Sequence, residues 1–298
     1  MTTQAVQTGR IPFKGFHTWY RVVGDGEEPG KLPLLCLHGG PGCPHESLVA
    51  LDPLAETGRR VIYYDQLGCG NSVAPSNPSM WTVALYVEEV DVVRQALGLD
   101  EVHILGQSWG GMLAQEYALT QPAGLVSLIL SSTLSSSALW AEETHKLRMQ
   151  LPEDIQARLT ELEAAGQTSD PAYQDAAMEF MRRHVCRMDP WPEPLAQAIA
   201  NTNIEIYTTM WGPSEFYPTG TLRDWSVTER LGEIRVPTLI TSGRYDESTP
   251  AVNEVIRNGI AGSKQVIFEH SGHSALFEEQ EAYLQVVGDF LERVESGR

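Results

Sequence analysis

The chain reads as an α/β protein, with a mostly parallel central sheet, helices on both faces of it and a helical insertion before its last third. Three observations predict this. Short apolar runs alternate with helical stretches from Leu32 to Leu130. The alternation stops near Ser135, gives way to helical and polar sequence as far as Leu231, and resumes at Val236. One apolar run, Val102 to Leu105, breaks at Gly106-Gln107-Ser108-Trp109-Gly110 straight into a helix-forming stretch. Residues 1–134 and 232–298 are therefore expected to build the sheet, and 135–231 an inserted helical cap over its carboxyl edge, where open α/β sheets bind ligands.

At 298 residues the chain is longer than most single domains, although α/β folds often run to about 200–250 residues as one unit. A net charge of −18, from 39 acidic and 21 basic residues, excludes nucleic acid as a partner class, because phosphate binding needs clustered Lys and Arg. Met1 to Arg10 lacks an apolar core of the signal-peptide kind, and no run of about 18 apolar residues occurs. The expectation is a cytoplasmic protein with no membrane partner. Cys36, Cys43, Cys69 and Cys186 have no C-x-x-C spacing, so free thiols are expected rather than metal or redox work.

Taken in order, Ile11 to Val23 is β-prone and Gly24-Asp25-Gly26 marks a turn, which suggests an opening antiparallel hairpin. Leu32 to Leu37 is nearly continuous apolar sequence, the mark of a strand buried on both faces. It runs into His38-Gly39-Gly40-Pro41-Gly42, a loop whose backbone N–H groups can face a ligand because no Cβ blocks the approach. Val61 to Tyr64 is the next strand, followed by a second glycine-rich loop, Asp65 to Ser72. Cys43 and Cys69 fall in these two loops. Thr82 to Leu97 carries apolar residues at helical spacing and Gly98 closes it. Val126 to Leu130 is another buried strand. Helices are then expected at 142–151, 152–165, 171–185 and 194–207. Trp191, Trp211, Phe216, Tyr217 and Trp225 belong mostly to the core of this insertion, with one or two of them facing a pocket. Strands return at 236–241 and 265–269, with helices from about Pro250 and over 275–294.

Gly-x-Ser-x-Gly between a strand and a helix is a nucleophile elbow. It holds Ser108 at a strained turn, beside a helix amino end that favours negative charge. A serine hydroxyl is a poor nucleophile at neutral pH and needs a base, which in turn needs an orienting group. In hydrolases of this architecture they follow in the order serine, acid, histidine. Asp246 lies in the loop after strand 236–241, and His273 in the loop after the last strand. His273 is preferred to His270 because Ser271-Gly272 can carry it out over the sheet edge. His17, His103, His145 and His184 are assigned structural roles, and Asp65 is assigned to the hydrogen bonding of its own loop. The oxyanion donors expected are the backbone N–H of Trp109 and that of Gly40, with Gly39 next. No metal-ligand spacing such as H-E-x-x-H occurs, which leaves acyl transfer to water without metal or cofactor.

His38-Gly-Gly-Pro-Gly42, Asp65-Gln-x-Gly-x-Gly-x-Ser72, Gly106-x-Ser-Trp-Gly-Gly111, Gly243-x-x-Asp-Glu247 and Ser271-Gly-His273 together resemble the proline iminopeptidases of the α/β-hydrolase fold, along nearly the whole chain. That resemblance implies release of an N-terminal residue, preferentially proline, from a small peptide or amino-acid amide. It also implies two glutamates that hold the substrate's free amino group: Glu215, in Gly212-Pro-Ser-Glu-Phe216, and Glu247 beside Asp246. A protonated amine entering a partly buried pocket does need compensating carboxylates. An esterase or lactonase acting on a small uncharged substrate shares the same triad and is the alternative. A non-catalytic relative that binds a small ligand is a third class.

Overall fold

The computed structural model describes residues 5–298. Its strands are β1 (Val6–Phe13), β2 (Phe16–Val23), β3 (Leu34–Leu37), β4 (Val61–Tyr64), β5 (Val102–Gln107), β6 (Leu125–Ser131), β7 (Thr238–Gly243) and β8 (Lys264–Phe268). They form one sheet in the order β1-β2-β4-β3-β5-β6-β7-β8. β2 is antiparallel to both of its neighbours, and every other pair is parallel. The opening hairpin turns at Lys14 and Gly15, both at positive φ (49° and 82°), and not at Gly24–Gly26, which leads out of β2.

The helices are α1 (Val83–Ala96), α2 (Trp109–Leu119), α3 (Ser137–Arg148), α4 (Glu153–Ala164), α5 (Pro171–His184), α6 (Glu193–Ala200), α7 (Ile204–Met210), α8 (Pro250–Gly259), α9 (Ala275–Glu278) and α10 (Gln280–Ser296). Both sheet faces are covered, and the period of two along each strand sorts side chains between them. Leu35, Leu37, Ile62 and Tyr64 pack with α1, α2 and α8 in one core. Leu34, Cys36, Val61 and Tyr63 pack with α10 and a 3-10 helical segment, His45–Thr57, in the other. That segment was not anticipated from the sequence.

Helices α3 to α7 all lie between β6 and β7. Leu159, Tyr173, Phe180 and Phe216 form an apolar cluster within this insertion, whereas Trp140, Ile206, Met210 and Trp211 join the core of the sheet. The helix expected over 194–207 is two helices. The Asn203 side chain accepts hydrogen bonds from the N–H groups of Glu205 and Ile206 at 3.0 and 3.3 Å, and so caps α7. Its Nδ2 donates to the Gly68 carbonyl at 2.8 Å, which ties the cap to the second glycine-rich loop. The terminal helix is likewise split at Glu279, whose carboxylate accepts from His270 N and Ser271 Oγ at 2.9 and 2.5 Å. Among the described residues no helix is long and apolar enough to cross a membrane.

Glu89 of α1 is fully buried and accepts hydrogen bonds from Thr18 Oγ1 and Leu67 N. Burial pushes its carboxyl up to about 8; the two hydrogen bonds oppose this, and Asp65 adds to the rise. A carboxyl higher in the folded than in the unfolded state costs no stability below its unfolded value, and the cost grows as pH climbs through the folded one. Glu89→Gln is therefore expected to gain melting temperature relative to the parent between pH 5 and pH 8. The change is on the order of 2 kcal/mol. Parallel thermal melts at the two pH values check it, and an equal difference at both excludes a titrating Glu89.

Candidate active site

The elbow is built by glycines that nothing else can replace. A Cβ on Gly106 would collide with the Gly110 carbonyl, and one on Gly110 with the Leu37 carbonyl. β3, β5 and α2 meet so closely here that only hydrogen fits. Ser108 between them has φ 57° and ψ −123°, a conformation that costs a non-glycine residue roughly 1–3 kcal/mol. The surroundings hold it there. Ser108 N donates to the Ser131 carbonyl at 2.9 Å, and the Ser108 carbonyl accepts from Thr133 Oγ1 at 2.7 Å and Gly111 N at 2.8 Å.

Asp246 and His273 arrive from the carboxyl ends of β7 and β8 and are brought together. Nδ1 of His273 lies 2.7 Å from Asp246 Oδ1. Asp246 is buried, and also accepts from Ser248 N at 2.7 Å and Gly243 N at 3.3 Å. The bond to Asp246 places the His273 proton on Nδ1, which leaves Nε2 as an acceptor. His273 and Ser108 line one cavity, whereas His270 is exposed at the end of β8. Burial works against the His273 imidazolium, but the charges of Asp246 and Glu215 and the Asp246 hydrogen bond outweigh it and hold its pKa above the usual value of 6.5.

Gly39 and Gly40 border the same cavity. A Cβ on Gly39 would sit 3.2 Å from Ser108 Cβ, and Gly40 has φ 111°. Their loop is fixed to the elbow through Gln66. The Trp109 indole donates to Gln66 Oε1 at 2.8 Å, Gln66 Nε2 donates to the His38 carbonyl at 3.0 Å, and Gln66 N donates to His38 Nε2 at 2.9 Å. Burial keeps His38 neutral, with a pKa of about 4, as an acceptor at Nε2 must be. Trp109 opens α2, so its backbone N–H has no acceptor within the helix.

Glu215 and Glu247 both line the Ser108 cavity, which measures about 70 Å³. The Glu215 carboxylate accepts from Tyr207 Oη at 2.7 Å, and its backbone carbonyl accepts from the indoles of Trp140 and Trp211 at 2.8 and 3.3 Å. Glu247 Oε1 stands 3.7 Å from His273 Nδ1, and Oε2 is buried without a hydrogen-bond partner among the described residues. Burial raises both carboxyls; Tyr207 and His273 pull Glu215 back in part, whereas Glu215 and Asp246 push Glu247 further up. Among the described residues no lysine or arginine lines this cavity.

Trp140 and Tyr207 have no counterpart in the sequence reading. Trp140 and Trp211 cross at 90° with ring centroids 5.7 Å apart, and Trp140 meets the His273 ring at 6.1 Å. With Leu134 and Met112 they close a second space, of about 10 Å³, against Ser108. Of the aromatic residues expected in the insertion, Trp211 faces this space and Phe216 a larger one behind it. His184, expected to be structural, donates from Nδ1 to the Tyr245 carbonyl at 2.8 Å and accepts at its own carbonyl from His273 N at 2.9 Å. It thus holds both loops that carry Asp246 and His273. Cys43 borders the Ser108 cavity; Cys69 is buried in the core away from it. Asp65 anchors its loop, accepting from His45 N at 2.9 Å and Asn71 N at 2.8 Å.

Residues 33–280 match the alpha/beta hydrolase fold family. A proline iminopeptidase of Lactobacillus crispatus is 44% identical over 289 residues, which covers 96% of this chain and 98% of that protein. Another, from Clostridioides difficile, is 43% identical over 289 residues, with 96% and 98% covered. The chain belongs to the proline iminopeptidase family of α/β-hydrolases. Among solved structures, the proline iminopeptidase of Mycobacterium smegmatis aligns with a TM-score of 0.90 at 41% identity, covering 98% of this chain and 99% of that one. VinJ aligns with a TM-score of 0.93, also at 41% identity, with 97% and 99% covered.

Proposed function

We propose that the protein is a serine aminopeptidase that releases an N-terminal residue, proline by preference, from small peptides and amino-acid amides. The observation that carries this reading is the pair Glu215 and Glu247, two carboxyl groups in the Ser108 cavity with no lysine or arginine among the described residues that line it. A protonated amine supplies the missing positive charge, and on binding it draws both carboxyls to their ionised form. An uncharged ester leaves them uncompensated. The narrow space walled by Trp140 and Trp211 suits a small apolar ring or side chain on the first residue.

In this reading His273 Nε2 takes the proton of Ser108 as the hydroxyl attacks the scissile carbonyl. Asp246 keeps the imidazole in the required tautomer and stabilises its charge. The oxyanion rests on the backbone N–H groups of Trp109 and Gly40, with Gly39 as the adjoining candidate; each donor is worth about 3 kcal/mol of barrier. His273 then protonates the leaving amine, and water releases the acyl group from Ser108. Residues 135–231 act as a cap, supported by the separate apolar cluster around Phe180, with 1–134 and 232–298 forming the core. No metal or cofactor enters the scheme. A cytoplasmic location fits the four free cysteines.

A panel of amino-acid p-nitroanilides and their N-acetyl counterparts tests the assignment. Proline p-nitroanilide is expected to be cleaved and N-acetylproline p-nitroanilide spared; the reverse order rules the assignment out. Glu215→Gln keeps the acceptor for Tyr207 but loses the charge. It is expected to raise KM for proline p-nitroanilide roughly 10- to 100-fold, the loss of one charge-assisted hydrogen bond, and to leave hydrolysis of an uncharged ester nearly unchanged. An equal loss on both substrates removes Glu215 from amine binding.

A further inference from the structure

The space around Ser108 does not end at Glu215. A second cavity, of about 240 Å³, lies between α5, α6, α7 and residues 213–216, and shares Met181, Ile199, Thr202, Tyr207 and Glu215 with the first. Its wall is mostly apolar, formed by Ala177, Phe180, Ile204 and Phe216 as well as Met181 and Ile199. Ile204 is 63% exposed and Phe180 fully buried, so the cavity runs from the surface inward to Glu215. Among the described residues no lysine or arginine lines it, and Glu215 is the one charged residue that does.

The position of these walls sets the direction of a bound substrate. With the amine at Glu215 and Glu247, the scissile carbonyl at Ser108 and the first residue against Trp140 and Trp211, the second cavity offers the chain beyond the scissile bond a path along Met181, Ile199 and Thr202. We propose that this cavity receives the leaving-group side of the substrate and selects an uncharged, apolar group there. The inference rests on the aminopeptidase reading above. Free dipeptides are then poor substrates. Their carboxylate falls one residue past the scissile bond, about 3.5 Å per residue along the chain. There it meets apolar walls and Glu215, with no cation to compensate it. Amides, and longer peptides with an apolar second residue, carry no such charge at that point.

Comparison of kcat/KM for prolinamide, prolyl-leucine, prolyl-leucinamide and prolyl-aspartamide tests this. Prolyl-leucinamide is expected to exceed prolyl-leucine and prolyl-aspartamide at least tenfold. Thr202→Lys, which puts a cation at the junction of the two cavities, is expected to narrow the gap between prolyl-leucine and its amide. Ala177→Phe, which fills the second cavity, is expected to lower prolyl-leucinamide turnover toward that of prolinamide while leaving prolinamide unchanged. Equal kcat/KM on all four substrates overturns the leaving-group inference and leaves the aminopeptidase standing. So does a charged-to-neutral ratio that neither variant moves. Hydrolysis of none of the four overturns both.

Discussion

Ser108→Ala is expected to lower kcat on proline p-nitroanilide by a factor on the order of 10⁶, the scale of losing the nucleophile of a serine triad. Covalent labelling by a fluorophosphonate probe should disappear with it, which separates an enzyme from a binding protein of the same fold. The fold should be untouched, since the bonds that hold residue 108 use its backbone: N to the Ser131 carbonyl, and its own carbonyl to Thr133 and Gly111. A second variant adds a measurement that activity alone does not give. Ser108 has φ 57° and ψ −123°, and glycine adopts such a conformation without a Cβ penalty. Ser108→Gly should therefore be inactive and melt higher than Ser108→Ala, by about 1 kcal/mol. Residual turnover of either variant within tenfold of the parent excludes Ser108 as the nucleophile.

Asp246→Asn should cost about 10⁴ in kcat with little change in KM, because the amide favours the wrong imidazole tautomer while keeping the geometry. Its pH profile carries the sign. His273 acts as a base only when neutral. Burial opposes the charged form and the negative groups around it favour that form, with a net upward shift from 6.5. Activity of the parent should therefore fall on the acid side with a midpoint above that of an ordinary histidine. Removing the Asp246 charge moves the residual limb to lower pH. A limb that stays in place in Asp246→Asn means that His273 is not the titrating base.

The legible parts of the site are those set by local backbone chemistry. Gly106, Ser108 and Gly110 announce an elbow because the contacts that forbid a Cβ there come from the turn itself and from the adjoining strand. Asp246 and His273 follow because strands of a parallel sheet end on one edge, so residues just after β7 and β8 converge with the one just after β5. The same logic does not reach the insertion. Amphipathic spacing in α3, α5 and α7 says which residues are buried, not which of them face Ser108, and so Trp140, His184 and Tyr207 carry no distinguishing signal. Glu215 was reached through its resemblance to a family motif and not through spacing. The break between α6 and α7 has no signal in the sequence, because only the fold brings the Gly68 carbonyl to the side-chain amide of Asn203.

The two bonds made by His184 bear on how this protein can change over generations. The last residue of α5 holds Tyr245 and His273 directly, and a Cβ on Gly272 would press against its carbonyl at 2.8 Å. The insertion between β6 and β7 is therefore also part of the frame that holds His273. Substitutions that retune α6 and α7 for a new substrate leave that frame intact, because neither helix supplies His184. Exchange of the whole segment for that of another hydrolase discards the support of His273 along with the old pocket. Changes in α6 and α7 are thus free of that constraint, and the end of α5 is bound to the position of His273.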